Sequence, residues 1–208
     1  MLRIHEYKGF PNPARIRIAL AEKGLFDLAE FISVDVPAGE HKQPAFLAKN
    51  PAGAVPVLEL DDGTMIAECS AITEYIDNLD GRPSLTGQGA RERAVIHMMQ
   101  RRAESGLLDA VASYFHHATP GLGPVIETYQ NREWGEKSLE RAVSCMSYLN
   151  QVLAEKKYLA GDQFSVADIT AFAGLLFADF VKLKIPGELQ HLIRWHERVA
   201  ARPSIAYS

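Results

Sequence analysis

Three stretches of the chain carry groups whose type and spacing could do chemistry. In Asn50-Pro51-Ala52-Gly53-Ala54-Val55-Pro56-Val57-Leu58 a proline stands directly before a strand-like run. Proline has no N–H for a ladder, so Pro56 must open its strand or lie at an edge. With a cis Val55–Pro56 bond, the backbone N–H and C=O of Val55 would point outward and could pair with an extended peptide as an added strand. A plain turn before a strand uses the same residues. Glu68-Cys69-Ser70-Ala71-Ile72 falls where a strand feeds a helix. Exposed N–H groups and the helix dipole make such a junction a carboxylate site, while Glu68 suits an ammonium group. Ser70 serves equally as a cap for its own helix. The third stretch, Gly39-Glu40-His41-Lys42, is a charged loop. Solvent alone accounts for its charges, but across a groove from Glu68 it would bring His41 and Lys42 to a second carboxylate.

Positioning these groups requires a frame. Leu2 to Tyr7 alternates as a short strand, and the Gly and Pro residues of 8–13 end it. Ala14 to Lys23 has helical spacing, with Pro13 in the first turn and Gly24 closing it. Phe31 to Val36 is expected as a second strand and Gln43 to Lys49 as a short helix. Val55 to Leu60 and Met65 to Glu68 then form a hairpin around Asp61-Asp62-Gly63-Thr64. A helix from near Ser70 carries Ile72, Tyr75, Ile76 and Leu79 on one face. The order is βαβαββα over residues 1–80, followed by a Gly/Pro-dense linker, 81–89. Residues 90–208 give only helical signals, over Ala90 to His117, Thr128 to Glu155, Val166 to Lys182 and Glu188 to Ala201. The expected fold is an α+β N-terminal domain and an all-α C-terminal bundle.

Composition excludes several classes of function. The 208 residues are 47% apolar and 23% charged, enough to bury a real core. Lys+Arg 22 against Asp+Glu 26 gives a net charge of -4, which leaves no general excess of positive charge for nucleic acid. The chain has Cys69 and Cys145 as its two cysteines, too few for a disulfide framework and without the spacing of a zinc site. A reducing cytosol fits, so a cytoplasmic location is expected. No run approaches the ~18 apolar residues of a membrane span, and the first residues lack the apolar stretch of a signal peptide.

Taken together, the motifs resemble the glutathione transferase family over essentially the whole chain. The matching stretches are Ala14 to Gly24, His41-Lys42 with Phe46-Leu47, Asn50 to Leu58, Glu68 to Ile72, and Tyr158 to Asp168 in the helical half. The resemblance implies a thioredoxin-like N-terminal domain carrying a glutathione site, a helical domain lining a pocket for a hydrophobic electrophile, and usually a homodimer. It implies no metal and no cofactor beyond glutathione as co-substrate. Carried over by position, Val55 beside Pro56 pairs with the cysteinyl backbone of glutathione. Glu68 takes the γ-glutamyl amine, Cys69 and Ser70 its carboxylate, and His41 and Lys42 the glycine carboxylate. Cys69 stands where the family generally has serine, which keeps the N–H contact and weakens the hydroxyl one. Ser165 and Asp168 have capping-box spacing and are read as structural.

The reaction such an enzyme performs needs the thiolate of glutathione, because the thiolate is the nucleophile. Here the loop that normally supplies a Tyr, Ser or Cys donor reads Tyr7-Lys8-Gly9-Phe10-Pro11-Asn12-Pro13. Phe10 and Pro13 fall at the usual serine and cysteine positions and donate nothing. Tyr7 is one residue out of register with the tyrosine position, and a slip of one turns a strand side chain to the other face. Without a loop cysteine, thiol-disulfide chemistry is disfavoured. Asn12 can donate from its amide at the mouth of the first helix, or cap that helix. His116 and His117 end a long helix that lines the cleft in the family. Adjacent helical residues point ~100° apart, so at most one of them faces the cleft and a two-His metal site is disfavoured. The chain is similar to a branch of the family in which a bound water, anchored by helical-domain side chains, stabilises the thiolate. His116 or His117 is the expected anchor, although a helix C-terminus favours both residues without any such role. Conjugation to small hydrophobic electrophiles is the expected activity. Reduction of organic hydroperoxides and a non-catalytic binding module are the alternatives. Glu104 and Arg102 are the candidates for reaching across a dimer.

Overall fold

The computed structural model describes residues 2–208. Alternation in Leu2–Glu6 (β1) sends Ile4 inward, opposite Leu58 in an antiparallel pairing with Val57–Glu59 (β3). β1 also pairs in parallel with Ala29–Ser33 (β2), and β3 pairs antiparallel with Met65–Ile66 (β4), for a sheet order β2-β1-β3-β4. The parallel pair needs a crossover, and Pro11–Glu22 (α1) supplies it. Ile16 and Leu20, one turn apart on α1, join Ile4 and Leu58 and, from Cys69–Asn78 (α3), Ile72 and Ile76 in the core of this half. With the short Pro44–Leu47 (α2), the order is the thioredoxin-like βαβαββα.

The opposite face of α1 presents Ile18 and Ala19 to the helical half, where α1 packs against Val166–Phe180 (α7). Because α1 is covered on both sides, every residue from Pro13 to Leu20 is buried, Arg15 and Arg17 included. Arg17 forms a buried pair with Glu6, donating from Nε at 2.9 Å and 3.0 Å. α1 starts at Pro11, ahead of the expected Ala14, since both prolines fit a first turn whose N–H groups have no intrahelical partner. β2 is shifted toward the N-terminus relative to the expected Phe31 to Val36. A 3-10 turn at Phe26–Leu28 delivers the chain to the sheet early, and Ser33 already faces Glu6 at the end of β1.

In the helical half, the expected helix from Ala90 to His117 is one continuous helical run to Ala118, made of Ala90–Ala103 (α4), a π-helical segment over Glu104–Leu108 and Asp109–Ala118 (α5). A Cβ added at Gly106 within that segment would lie 2.8 Å from Sγ of Cys145 on Arg132–Glu155 (α6), so the close approach of α6 requires glycine there. α6 begins at Arg132 and not Thr128 because Asn131 caps it, its Oδ1 accepting from Trp134 N–H at 3.0 Å. α7 stops at Phe180, short of the expected Lys182, whose φ of 65° is left-handed. Gln190–Ala200 (α8) replaces the expected Glu188 to Ala201, since Leu189 N–H is taken by a turn from Pro186.

The capping box at Ser165 and Asp168 forms. The buried Asp168 carboxylate accepts from the N–H groups of Ser165 and Leu159, each at 3.0 Å, and from Trp195 Nε1 at 2.8 Å, which ties α7 to α8. Burial pushes its pKa up to about 6, against the pull of those hydrogen bonds. Within residues 81–89, the stretch Ser84-Leu85-Thr86 is clamped by hydrogen bonds. Asp77 Oδ2 accepts from the N–H groups of Leu85 (2.9 Å) and Thr86 (2.7 Å), and Leu85 O accepts from Val166 N–H at 3.0 Å. No helix among the described residues is long and apolar enough to cross a membrane.

Candidate active site

Between the sheet and the helices lie two adjoining cavities that share Asn12, Val55 and Asp109. The smaller, about 180 Å³, is polar and is lined also by Arg15, Asn50, Pro56, Glu68, Cys69, Arg101 and Glu104. The larger, about 420 Å³, is walled by Phe10, Leu108, Phe115, Leu176, Phe177 and Phe180, with His116 at its side. A polar cradle opening onto an apolar chamber suits the joining of a polar molecule to an oily one.

One wall of the polar cavity is the loop before β3. The Val55–Pro56 peptide bond is cis, and among the described residues neither the N–H nor the C=O of Val55 has a hydrogen-bond partner. Asn50 shapes this loop, donating from Nδ2 to Ala54 O at 2.8 Å and accepting from Ala52 N–H at 3.1 Å. Gly53, at φ +56°, lets the loop pass so close that a Cβ there would lie 2.9 Å from His41 O. Lys42 Nζ donates to Gly53 O at 2.8 Å. His41 is buried with its Nδ1 unpartnered; burial, and then the charge of Lys42, hold its pKa below the ordinary imidazole value. His41 and Lys42 thus brace the loop from behind and are not among the residues lining either cavity.

The opposite wall is the start of α3. Glu68, the N-cap residue, is exposed and sits at φ 68° and ψ 121°, a conformation that side chains disfavour. Cys69 and Ser70 occupy the first turn, so their N–H groups are orphan donors at the positive end of the dipole. Ser70 lies inside the helix and does not cap it. The Cys69 thiol turns inward and donates to Asn12 O at 3.5 Å. Burial pushes its pKa up to about 11, which keeps it protonated and inert.

At the junction of the two cavities stands Asn12. The N-cap of α1 is Phe10, without a side-chain cap bond, so Asn12 does not cap the helix. Its Oδ1 instead accepts from Arg15 Nη1 at 3.0 Å. Phe10 presents its ring to the apolar chamber and packs edge-on against Tyr7, centroids 4.7 Å apart. Tyr7 lines neither cavity. The histidines divide as helical geometry requires. His116 lines the chamber and is held through Nδ1 by Glu127 Oε1 at 2.7 Å, while His117 turns away, accepting from Asn131 N–H at 3.2 Å beside Tyr129.

Sequence reasoning missed Arg15, Asp109 and the aromatic wall. Arg15 reads as one more charge on a helix, and nothing local shows that α1 is buried on both sides. Phe115 packs edge-on against Phe177 and Phe180, which are tilted toward each other, in a cluster that is indistinguishable in sequence from core. Glu104 pairs with Arg15 at 2.9 Å and Arg101 at 3.3 Å, and Arg102 Nη1 donates to Tyr148 Oη at 2.5 Å, so both dimer candidates are engaged within their own chain. Burial, and then the neighbouring Glu104, raise the pKa of Asp109. No cluster of three or more His, Cys, Asp or Glu among the described residues could hold a metal ion.

This is the two-domain architecture of a glutathione-using transferase, and comparison with known proteins agrees. The family models for the glutathione S-transferase N-terminal and C-terminal domains match residues 11–79 and 108–203. The chain belongs to the glutathione S-transferase family and is an enzyme of the glutathione transferase class. It is 57% identical over 202 residues to Glutathione S-transferase 2 of Saccharomyces cerevisiae, covering 97% of this chain and 87% of that protein. The crystal structure of Gtt2 from Saccharomyces cerevisiae superposes with a TM-score of 0.97 at 56% identity, covering 98% of each chain. A glutathione S-transferase domain-containing protein from Marinobacter aquaeolei VT8 superposes at 0.96 with 62% identity, over 98% of this chain and 99% of that one.

Proposed function

We propose that the polar cavity binds glutathione in extended form and that the adjoining apolar chamber receives a small hydrophobic electrophile, to which the glutathione thiolate is added. The observation that carries this reading is the unpartnered N–H and C=O of Val55, set on the shared rim of the two cavities. A peptide paired with Val55 as an added strand has its γ-glutamyl end at α3. There Glu68 meets the ammonium group, and the N–H groups of Cys69 and Ser70 meet the carboxylate. His41 and Lys42 serve the glycine end through the loop they brace, with Lys42 as the charge.

The cysteinyl sulfur then lies by Asn12, whose Nδ2 is free to donate because Oδ1 is held by Arg15. His116, oriented by Glu127, anchors a water at the same sulfur, and His117 takes no part. A donor aimed at sulfur favours the thiolate, which attacks the electrophile from the side of the phenylalanine wall. In this reading residues 1–80 hold glutathione, residues 90–208 shape the electrophile chamber, and the enzyme works in the cytoplasm as a homodimer without metal or further cofactor.

Calorimetric titration with glutathione, followed by conjugation assays on aryl halides, enones and epoxides and a peroxidase assay on an organic hydroperoxide, tests the reading. Binding with turnover on at least one electrophile is expected. Binding without turnover on any of them would leave a glutathione-binding module, and no binding would end the proposal.

A further inference from the structure

Arg15 is 2% exposed, yet two of its guanidinium nitrogens, Nε and Nη2, are buried without a hydrogen-bond partner. The third, Nη1, donates to Asn12 Oδ1 at 3.0 Å and forms an ion pair with Glu104, whose Oε1 is 2.9 Å away. Leaving buried donors unsatisfied is costly, and a helix that needed only packing here would do better with leucine or methionine. The arrangement makes sense if the charge itself is used. Resting on the reading of the cleft as a glutathione site, we infer that Arg15 is a positioning residue for the thiolate. Its guanidinium turns the Asn12 amide so that Nδ2 faces the sulfur, and sets a buried positive charge behind that amide.

The orientation follows from the side-chain chemistry. An amide has one oxygen and one nitrogen, and Arg15 can only donate, so the oxygen must face it and the nitrogen must face away. Asn12 lines both cavities, so away from Arg15 is toward the place where sulfur and electrophile meet. A charge in this water-poor site is screened far less than one at the surface. The ionisable groups around it are Glu104, Asp109 and Arg101 from the helical half and Glu68 and Cys69 from α3. Cys69 stays neutral by burial, and Glu104 is the carboxylate in direct contact with Arg15, so it offsets part of the positive charge. In the step that Arg15 assists, the S–H bond breaks, the electron pair stays on sulfur and the proton leaves to water.

The test is the pH titration of thiolate ultraviolet absorbance in the full chain saturated with glutathione, for wild type, Arg15→Gln, Arg15→Lys and Glu104→Gln. Arg15→Gln should raise the midpoint by about one pH unit, a roughly tenfold loss of thiolate at fixed pH below it. Its kcat should fall by a similar factor at low pH and recover at high pH, with KM for glutathione within about threefold of wild type. Arg15→Lys should restore most of the shift. Glu104→Gln leaves the Asn12 acceptor of Nη1 in place and withdraws a negative charge, so its midpoint should move the other way, which a purely structural clamp would not produce. If Arg15→Gln does not fold by circular dichroism, Glu104→Gln decides alone. Variants that fold and leave the midpoint where wild type has it, or an Arg15→Gln whose only effect is a higher KM, would overturn the inference. A wild-type complex with an unperturbed thiol would instead overturn the reading of the site.

Discussion

Replacing Asp77 with alanine tests how the two halves are joined. Its carboxylate is fully buried and accepts five hydrogen bonds, the longest from Ser84 Oγ at 3.5 Å. Three of the others come from the N–H groups of Ser84 (3.0 Å), Leu85 (2.9 Å) and Thr86 (2.7 Å), and one from Thr86 Oγ1 (2.7 Å), with Lys23 Nζ 3.3 Å away. Ser84 is close enough to solvent to find water, but Leu85 and Thr86 are buried, and their N–H groups would be orphaned at ~1–3 kcal/mol each. Lys23 keeps Asp80 (3.2 Å) and Arg82 O (2.8 Å) as partners, so the two orphaned N–H groups set the cost at about 2–5 kcal/mol. At ~2–4 °C per kcal/mol for a chain of this size, Tm should fall by roughly 10 °C in thermal unfolding followed by circular dichroism. The same carboxylate predicts a pH dependence. Burial alone would raise its pKa, but the donors from Ser84, Thr86 and Leu85 more than offset that, and it lies below the usual aspartate value. A folded-state pKa below the unfolded ~3.9 means that the stabilisation is complete above that value and is lost as pH falls through the folded pKa. Wild type should therefore lose its advantage over Asp77→Ala below about pH 4. A Tm within ~3 °C of wild type at neutral pH, or two curves that stay parallel into acid, would refute this account of the junction.

Three further changes probe the cleft and its supports. Gly106→Ala should destabilise by about 1–3 kcal/mol in urea unfolding, because its Cβ would meet Cys145 Sγ at 2.8 Å, and adding Cys145→Ala should recover most of that loss. Glu68→Gly should relieve the strain at φ 68° and raise stability by up to ~1 kcal/mol while KM for glutathione rises about tenfold or more, since the proposed ammonium partner is gone. Glu127→Ala should release His116 and the Leu122 N–H that share its Oε1, lowering kcat roughly tenfold with little change in KM for glutathione, as initial-rate kinetics would show.

The parts of this protein that can be read in its sequence are those set by local chemistry. Pro56 cannot sit inside a ladder, the turn from β4 into α3 must leave N–H groups bare, and His116 and His117 cannot share a face. What depends on neighbours distant along the chain is not legible. Within the π segment at Glu104–Leu108, Gly106 lies against Cys145 of α6, a contact no local pattern announces. Arg15 is buried because α1 is covered on both sides, which turns an ordinary helical arginine into a buried charge. The inward turn of the Cys69 thiol onto Asn12 likewise follows from how α3 and α1 pack. Element ends move for a similar reason: Phe26–Leu28 shifts β2 and Asn131 delays α6, both through single turns and caps that hydrophobic periodicity does not record.

The central claim is that this cleft keeps the sulfur of bound glutathione ionised near neutral pH although Phe10 and Pro13 stand where a donor is usual. The most direct measurement is the thiolate absorbance of glutathione bound to the wild-type protein, titrated against glutathione alone. The predicted result is a midpoint at least about one unit below the roughly 8.5 of an ordinary thiol, moving back up in Asn12→Ala. A bound thiol that titrates where the free one does would contradict it.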